Sequence, residues 1–185
     1  MAVRLTRSDW TAAALVALAE GGVGAVAIEP LAARLGATKG SAYWHFANRE
    51  ALLRATLERW EQESTESVIR QVEAQPEGHA RLRALFESVL DHPTAHLAEL
   101  ALLSAPAEPV VTEIVNRVTE RRIGYLAGLY GQIGFGRPEA RRRAVLAYAA
   151  YLGNAQLRRA APKSLPTARR PYVEDVVHAL TRPPR

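Results

Sequence analysis

The chain has 185 residues, of which 48% are apolar and 23% charged, so it can bury a hydrophobic core and does not have the composition of a disordered protein. Because it contains no cysteine, disulfides, thiolate metal ligands and cysteine nucleophiles are excluded. No apolar run approaches the length of a membrane span, and the N-terminus has no signal-peptide pattern. We therefore expect a cytoplasmic protein with no membrane partner.

The net charge of +5 is unevenly distributed along the chain. Residues 1–60 carry +2, residues 61–136 carry −5 and residues 137–185 carry +8. A basic beginning followed by an acidic middle suits an end that faces nucleic acid and a body that does not. The basic C-terminal part does not fit this scheme, and we interpret it as a solvated rim.

The first helix is predicted over 7–20. Thr6 and Asp9 have the spacing of a capping box, in which each side chain bonds a free backbone N–H at a helix start. A glycine-rich loop follows, and the apolar spacing then predicts a helix over 28–35 that ends at Gly36. This arrangement begins a compact unit of short helices.

Two further caps follow in the next turn of the chain. Thr38 is suited to cap a short helix over 39–45, and Asn48 is suited to cap a long helix that continues until Pro76. Three helices joined by a tight glycine turn make a helix-turn-helix unit. The long helix is suited to connect this unit to a second body.

The remaining periodic segments are also helical, and proline or glycine residues separate them. No segment shows the alternation of a strand. We predict an all-α protein of about nine helices, with a helix-turn-helix DNA-binding domain at 1–50 and a second helical domain at 51–185. The later helices are predicted at 79–91, 95–104, 108–132, 138–160 and 169–181.

Residues 6–55 resemble the N-terminal DNA-binding domain of the TetR/AcrR family of bacterial transcriptional regulators. The residues that carry the resemblance are Gly36, Thr38, Lys39, Gly40, Tyr43, His45, Phe46, Arg49, Glu50 and Leu52. The resemblance implies a homodimer that binds a palindromic double-stranded DNA operator. It also implies an unidentified small, largely apolar effector that releases the protein, most simply a repressor, from that operator.

The first turn of the helix over 39–45 is expected to enter the DNA major groove, where a lysine or serine can bond base edges or phosphates. Ala42 and Phe46 are expected to face inward, whereas the donors around them face DNA. The predicted DNA-binding residues are Thr38, Lys39, Gly40, Ser41, Tyr43, Trp44, His45 and Arg49.

The preceding helix fits DNA contact less well. Ala27 has no side chain that can cap the helix or bond a phosphate, and the carboxylate of Glu29 repels phosphate unless it accepts a hydrogen bond from a cytosine amino group. The alternative is therefore a helical ligand-binding or scaffold protein whose helix-turn-helix does not read DNA.

Two further sets of residues are predicted in the C-terminal part. Large or polar side chains on the helices that line a pocket in such folds are Trp60, Phe86, His96, Leu100, Asn116, Tyr125 and Tyr148. Apolar and small residues on the last two long helices suit half of a four-helix dimer interface: Leu146, Ala149, Leu152, Gly153, Val173, Val176, Val177 and Leu180. The alternative is that these faces pack within one chain.

Enzymatic readings have little support in the sequence. His92 and His96 have a metal-ligand spacing, but Pro93 between them interrupts the helix that would place them on one face. No nucleophile motif is present. We expect no enzymatic activity, no cofactor and no bound metal, with a small helical metalloenzyme as the remaining rival.

Overall fold

The computed structural model of the chain describes residues 5–91, 96–105 and 108–182. Every regular element within these ranges is helical, which confirms the predicted all-α fold of about nine helices. The α-helices are α1 (Arg7–Gly21), α2 (Ile28–Arg34), α3 (Lys39–Tyr43), α4 (Arg49–Glu61), α5 (Ser67–Glu73), α6 (His79–Asp91), α7 (His96–Leu103), α8 (Pro109–Gln132), α9 (Arg137–Ala160) and α10 (Arg169–Thr181).

The predicted caps are present. The backbone N–H and the hydroxyl of Thr6 each donate to a carboxylate oxygen of Asp9 at 2.7 Å, and Asp9 N–H donates to the Thr6 hydroxyl at 3.3 Å. The hydrogen bond from the Thr6 backbone, followed by that from its hydroxyl, lowers the pKa of Asp9. The side chains of Thr38 and Asn48 accept bonds at the starts of α3 and α4. Local sequence therefore sets these helix starts.

The long helix predicted after Asn48 is divided by a π-helical segment, Gln62–Glu66, which separates α4 from α5. Within this segment the Ser64 hydroxyl donates to the Trp60 carbonyl at 2.6 Å, a bond that competes with the regular backbone ladder. Thr65 is buried and accepts from the guanidinium of Arg122 at 2.8 Å. Apolar spacing alone does not reveal this interruption, because the apolar stripe continues across it.

One compact unit consists of residues 1–64 and 97–117. In it α1 packs against α4 and α2, and α2 packs against α3. Its core is built on large, fully buried side chains that include Trp10, Leu18, Leu31, Leu53 and Leu57. The helix-turn-helix segment is therefore packed on a core of apolar side chains.

The second compact unit consists of residues 65–96 and 118–185. Its helix α6 packs against α5, α9 and α10. The core contains Leu82, Phe86, Leu129, Tyr130 and Tyr148 together with smaller residues. The division into packing units does not test the predicted division into functional domains at residue 50, which stays a prediction.

Glu66 gives a test of acid sensitivity in the second unit. Arg121 donates to its two carboxylate oxygens at 2.9 and 3.1 Å, and these bonds, ahead of opposing burial, lower the pKa of Glu66 from 4.5. The contribution is therefore present above pH 4.5 and is lost as pH falls through the lower folded pKa.

Glu66→Gln should reduce the free energy of unfolding at pH 7 by about 0.5 kcal/mol, the size typical of a partly exposed ion pair. It should also flatten the fall in the thermal midpoint below about pH 4.5. Circular dichroism melts at several pH values measure both effects. Glu63→Gln, which removes a carboxylate from the same π-helical segment, is the control; equal flattening in the two variants would contradict the assignment.

Candidate nucleic-acid interface

The turn between α2 and α3 places α3 on the surface of the first unit. Gly36 ends α2 with φ of 61°, a left-handed conformation that favours glycine, and Ala37 N–H donates back to the Ala32 carbonyl at 2.9 Å. Below α3, Ala42 and Phe46 are buried, as their predicted inward direction requires. The opposite side of this short helix is consequently presented to solvent.

Two aromatic side chains stand out on that solvent side. Tyr43 is 56% exposed and Trp44 is 85% exposed, whereas Trp10 and Trp60 in the same unit are buried. A tryptophan usually buries most of its large apolar surface, so an almost fully exposed one indicates a surface that meets a partner. Thr38, Lys39 and Gly40 are exposed beside them, and Ser41 is half-buried.

Gly40 is not demanded by packing inside the chain. A methyl group added at its Cα would meet only the Thr38 hydroxyl oxygen, at an ordinary contact distance of 3.8 Å. Its backbone conformation is also one that other residues adopt, because it is not among the glycines with positive φ. The absence of a side chain there leaves the start of α3 open to a close external approach.

Lys39 is held by an acidic neighbour. Its ammonium group donates to the carboxylate of Glu29, which lies in the first turn of α2. Both side chains are well exposed, at 59% for Lys39 and 69% for Glu29. Lys39, whose ammonium group favours DNA contact, and Glu29, whose carboxylate disfavours it, thus form one ion pair.

His45 is engaged with the N-terminal segment. One ring nitrogen lies 3.0 Å from the Leu5 carbonyl, and the ring contacts Phe46 edge-on with centroids 6.2 Å apart. Nearby, the guanidinium of Arg7 lies over the Phe46 ring at 5.4 Å. The structure therefore gives His45 a packing role that the sequence does not predict.

Arg49 is also engaged inside its own unit. Its guanidinium donates to the carbonyls of Val26 and Val23 at 2.9 Å each and forms an ion pair with Glu108 at 3.0 Å. These partners occupy the donors that a phosphate contact would use. The prediction that Arg49 holds DNA phosphate is thus at odds with its place in the structure, where it joins a loop, α4 and the residue before α8.

Residues 11–56 match the model of the family described as bacterial regulatory proteins, tetR family. This segment, which includes α2 and α3, is thus similar to proteins of that family. Among curated proteins, none matches the sequence significantly.

Solved structures extend the likeness from this segment to nearly the whole chain. A transcriptional regulator from Rhodococcus sp. Rha1 is 21% identical with a TM-score of 0.79, covering 96% of this chain and 94% of that one. A TetR transcriptional regulator from Legionella pneumophila is 16% identical with a TM-score of 0.75, covering 97% of each chain. The chain therefore shares its fold with these two structures over nearly its whole length.

A third structure with the TetR-type fold contains a small molecule. It is a regulator from Saccharomonospora viridis in complex with choline, 18% identical with a TM-score of 0.77, covering 94% of this chain and 92% of that one. At this level of identity the comparison establishes the shared fold and leaves the ligand of the present chain open.

The predicted effector residues divide between the two compact units of the chain. Phe86, Tyr125 and Tyr148 belong to the core cluster of the second unit. Trp60 and Leu100 are buried in the first unit, whereas Asn116 is exposed there. The backbone of His96 begins α7, but its side chain lies outside the described residues. Three of the seven predicted residues are thus brought together in one core.

Tyr125 and Tyr130 bring buried hydroxyl groups to that core, and neither hydroxyl has a hydrogen-bond partner within the described residues. Burial raises the pKa of Tyr130 to about 12, and it also raises the pKa of Tyr125, with a further contribution from Glu73. Both hydroxyls are therefore neutral donors at ordinary pH. A tyrosine in an apolar stripe, such as Tyr130, has no sequence signal beyond ordinary core packing.

The predicted dimer residues also fall into two groups. On α10, Val173, Val177 and Leu180 are buried in the core of their own unit and Val176 packs against it, which matches the alternative of packing within one chain. On α9 the side chain of Leu146 is 61% exposed. Ala149 and Gly153 are also exposed, and Leu152 is half-buried. Among the predicted dimer residues, the exposed ones therefore lie on α9.

The second unit also has a groove that the sequence analysis does not predict. Its volume is about 480 Å³, and its lining is Gly124, Ala127, Gly128, Gly131, Phe135, Arg137, Ala140 and Arg141. The glycines recur at four- and three-residue spacing along α8, which is the pattern that marks this face in the sequence. None of the predicted effector residues lines the groove.

The three adjacent arginines at the start of α9 are less uniformly solvated than expected for a basic rim. Arg141 pairs with Glu120 at 2.8 Å, and Arg143 pairs with Glu139 at 2.9 Å. Arg143 also stacks over Phe135 at 3.9 Å from the ring centroid. Arg141 and Arg142 are both exposed and fit the rim interpretation, whereas Arg143 is half-buried.

Two observations concern the expected absence of a bound metal and of a membrane-spanning helix. Among the described residues, no group of three histidine or carboxylate side chains is arranged to hold a metal. His92, one of the two residues behind the metalloenzyme rival, lies outside the described residues, so the metal question stays a prediction. None of the described helices combines the length and apolar character needed to cross a bilayer.

Arg49 and Arg54 give a matched test of the structural role assigned to Arg49. Both lie on α4 and pair with a glutamate, Glu108 or Glu113, at 3.0 Å, but only Arg49 also bonds backbone carbonyls. Arg49→Ala should lower the free energy of unfolding by about 2 kcal/mol, because two carbonyls lose a charged donor. Arg54→Ala should cost clearly less, because its ion pair with Glu113 is exposed to solvent.

Denaturant titration followed by tryptophan fluorescence measures this difference, because all three tryptophans lie in the first unit. An equal loss of stability in the two variants would show that the carbonyl bonds of Arg49 are unimportant.

Proposed function

We propose that the protein is a DNA-binding transcriptional regulator that reads a palindromic operator with α3 from two copies of the chain. The observation that carries the proposal is the exposure of Trp44 and Tyr43 on α3, above the buried Ala42 and Phe46. Such a regulator acts in the cytoplasm, where bacterial DNA lies.

The chemistry of the exposed side suits a DNA groove. Tyr43 offers a hydroxyl to phosphate, and the ring of Trp44 can pack on a sugar or a thymine methyl group. Lys39 and Ser41 at the start of α3 can bond base edges, and Gly40 permits a close approach of the backbone. We assign DNA contact to these five residues and to Thr38, whereas His45 and Arg49 support the surface from within.

We propose a homodimer formed through α9. The exposed apolar and small residues on this helix recur at helical spacing: Val145, Leu146, Ala149, Gly153 and Leu157. Ala149 and Gly153, four residues apart, let two backbones approach closely. A two-fold dimer presents two α3 helices to an inverted repeat, with half-sites about 34 Å apart on one face of the DNA.

We propose that a small effector controls DNA binding from the region after residue 50. The supporting observations are the buried, unpartnered hydroxyls of Tyr125 and Tyr130 and the choline complex of a protein with the same fold. An apolar molecule with one polar group would satisfy such hydroxyls. As a repressor, the protein would leave its operator if the effector bound the DNA-free state more tightly.

The alternative of a helical ligand-binding or scaffold protein has one specific observation in its favour. Glu29 occupies the ammonium group of Lys39 at the surface proposed to meet DNA. If the pair were permanent, α3 would lose a base-reading cation. Selection of bound duplexes from a random pool separates the two functions, since a regulator enriches an inverted repeat and a scaffold enriches none.

On the selected duplex, Lys39→Ala and Tyr43→Phe should each weaken binding by about tenfold, the loss expected for one good polar contact to DNA. Fluorescence anisotropy titrations measure this, with Lys163→Ala and Tyr125→Phe as controls. These controls make the same chemical changes in the second unit. Unchanged affinity in the α3 variants, or equal loss in the controls, would remove α3 from the proposal.

Leu146→Glu should convert the dimer to a monomer, because it places a charge in the middle of the apolar side of α9. Light scattering after size-exclusion chromatography gives the mass directly. Leu103→Glu is the control, since Leu103 is also an exposed leucine, 46% accessible, but lies on α7. If both variants keep the wild-type mass and this mass is that of a dimer, the interface lies elsewhere.

A further inference from the structure

The ion pair between Glu29 and Lys39 lies at the start of α3, where a lysine is most useful for reading DNA. The chain has 22 arginines and only two lysines, so this position carries one of its two ammonium groups. A lysine is a compact charge on a flexible stem, and it can exchange partners without the fixed bidentate geometry of arginine. Lys39 is therefore suited to move between an internal carboxylate and DNA.

Glu29 is positioned to be a competitor. It lies in the first turn of α2, where the helix dipole favours an anion even without a cation beside it. Its side chain is 69% exposed, so the pair is solvated and easily broken. A phosphate and the Glu29 carboxylate offer Lys39 similar charge-assisted bonds, and the two anions repel each other.

A second exposed ion pair of α2, between Glu20 and Arg34, serves as a comparison for the Glu29–Lys39 pair. Arg34 donates to both carboxylate oxygens of Glu20, at 2.7 and 3.1 Å, and so joins α1 to the last turn of α2. Neither residue lies on α3. The first unit thus contains two exposed ion pairs of α2, of which only one holds a side chain proposed to contact DNA.

We infer that Glu29 is a specificity-determining residue, which competes with DNA phosphates for Lys39 and so suppresses binding to DNA of arbitrary sequence. The inference rests on the proposed DNA-binding function. On random DNA, Lys39 gains only a phosphate and remains with Glu29. On the operator, a guanine edge offers it more, so the pair opens and the Lys39–DNA contact forms.

The inference predicts different salt dependences for two duplexes. In Glu29→Gln, Lys39 becomes available on random DNA, so affinity should rise about fivefold and the magnitude of the log–log salt slope should increase by about 0.9, the value for one added phosphate contact. On the selected duplex the contact already exists. Affinity there should rise only about twofold and the slope should not change.

Anisotropy titrations of both duplexes at several salt concentrations test this, with tryptophan fluorescence confirming that each variant is folded. Glu20→Gln is the matched control, because it removes a paired carboxylate from the same unit and should leave both slopes unchanged. In a Lys39→Gln background, Glu29→Gln should no longer increase the slope on random DNA.

The inference is overturned if Glu29→Gln and Glu20→Gln have equal effects, or if the gain in slope persists without Lys39. It is also overturned if Glu29→Gln weakens binding to the selected duplex alone, since Glu29 would then read a base itself. These outcomes are distinct from failure of the proposed function. That failure would appear as a wild-type protein that does not distinguish the selected duplex from random DNA.

Discussion

The organisation of the first unit depends on the guanidinium of Arg49. Ala27 provides no side-chain cap for α2, so nothing local holds the start of that helix. Arg49 supplies the constraint from a distance, because it donates to the carbonyls of Val23 and Val26 in the preceding loop. Its ion pair with Glu108 ties the same group to the chain before α8. Charged donors bond carbonyls more strongly than neutral ones, so this side chain supports the loop that leads into α2, whereas Thr38 caps α3 locally.

The surface around α3 combines side chains that are exposed to solvent with side chains that are bonded within the protein. Exposure of the apolar rings of Tyr43 and Trp44 to water is unfavourable, and burying these rings against a partner lowers the free energy. His45 and Arg49 have donor groups of the kind that binds phosphate, yet their partners lie inside the protein. Residue type alone does not distinguish a donor that is free to bind phosphate from one that is bonded within the protein, because an arginine or histidine has the same donor groups in both cases.

Helix α9 has two apolar sides. One side contributes Ala144, Ala147 and Tyr148 to the core of the second unit. The other leaves Val145 and Leu146 exposed, although a surface helix ordinarily presents polar residues there. Val173 and Val177 of α10 are buried in the same core, whereas Val145 and Leu146 of α9 lie outside it.

Sequence by itself determined the helices, because caps, glycine stops and 3.6-residue periodicity act between near neighbours. The bounds of α1, α6, α8 and α10 agree with prediction to within a residue or so. It also determined that Ala42 and Phe46 face inward. Only the tertiary structure decided that Arg49 and Glu29 are engaged with partners, that α10 is internal and that a π-helical segment divides α4 from α5. Each of these depends on groups far apart in the chain or on a competing side-chain bond, and apolar spacing carries no information about either.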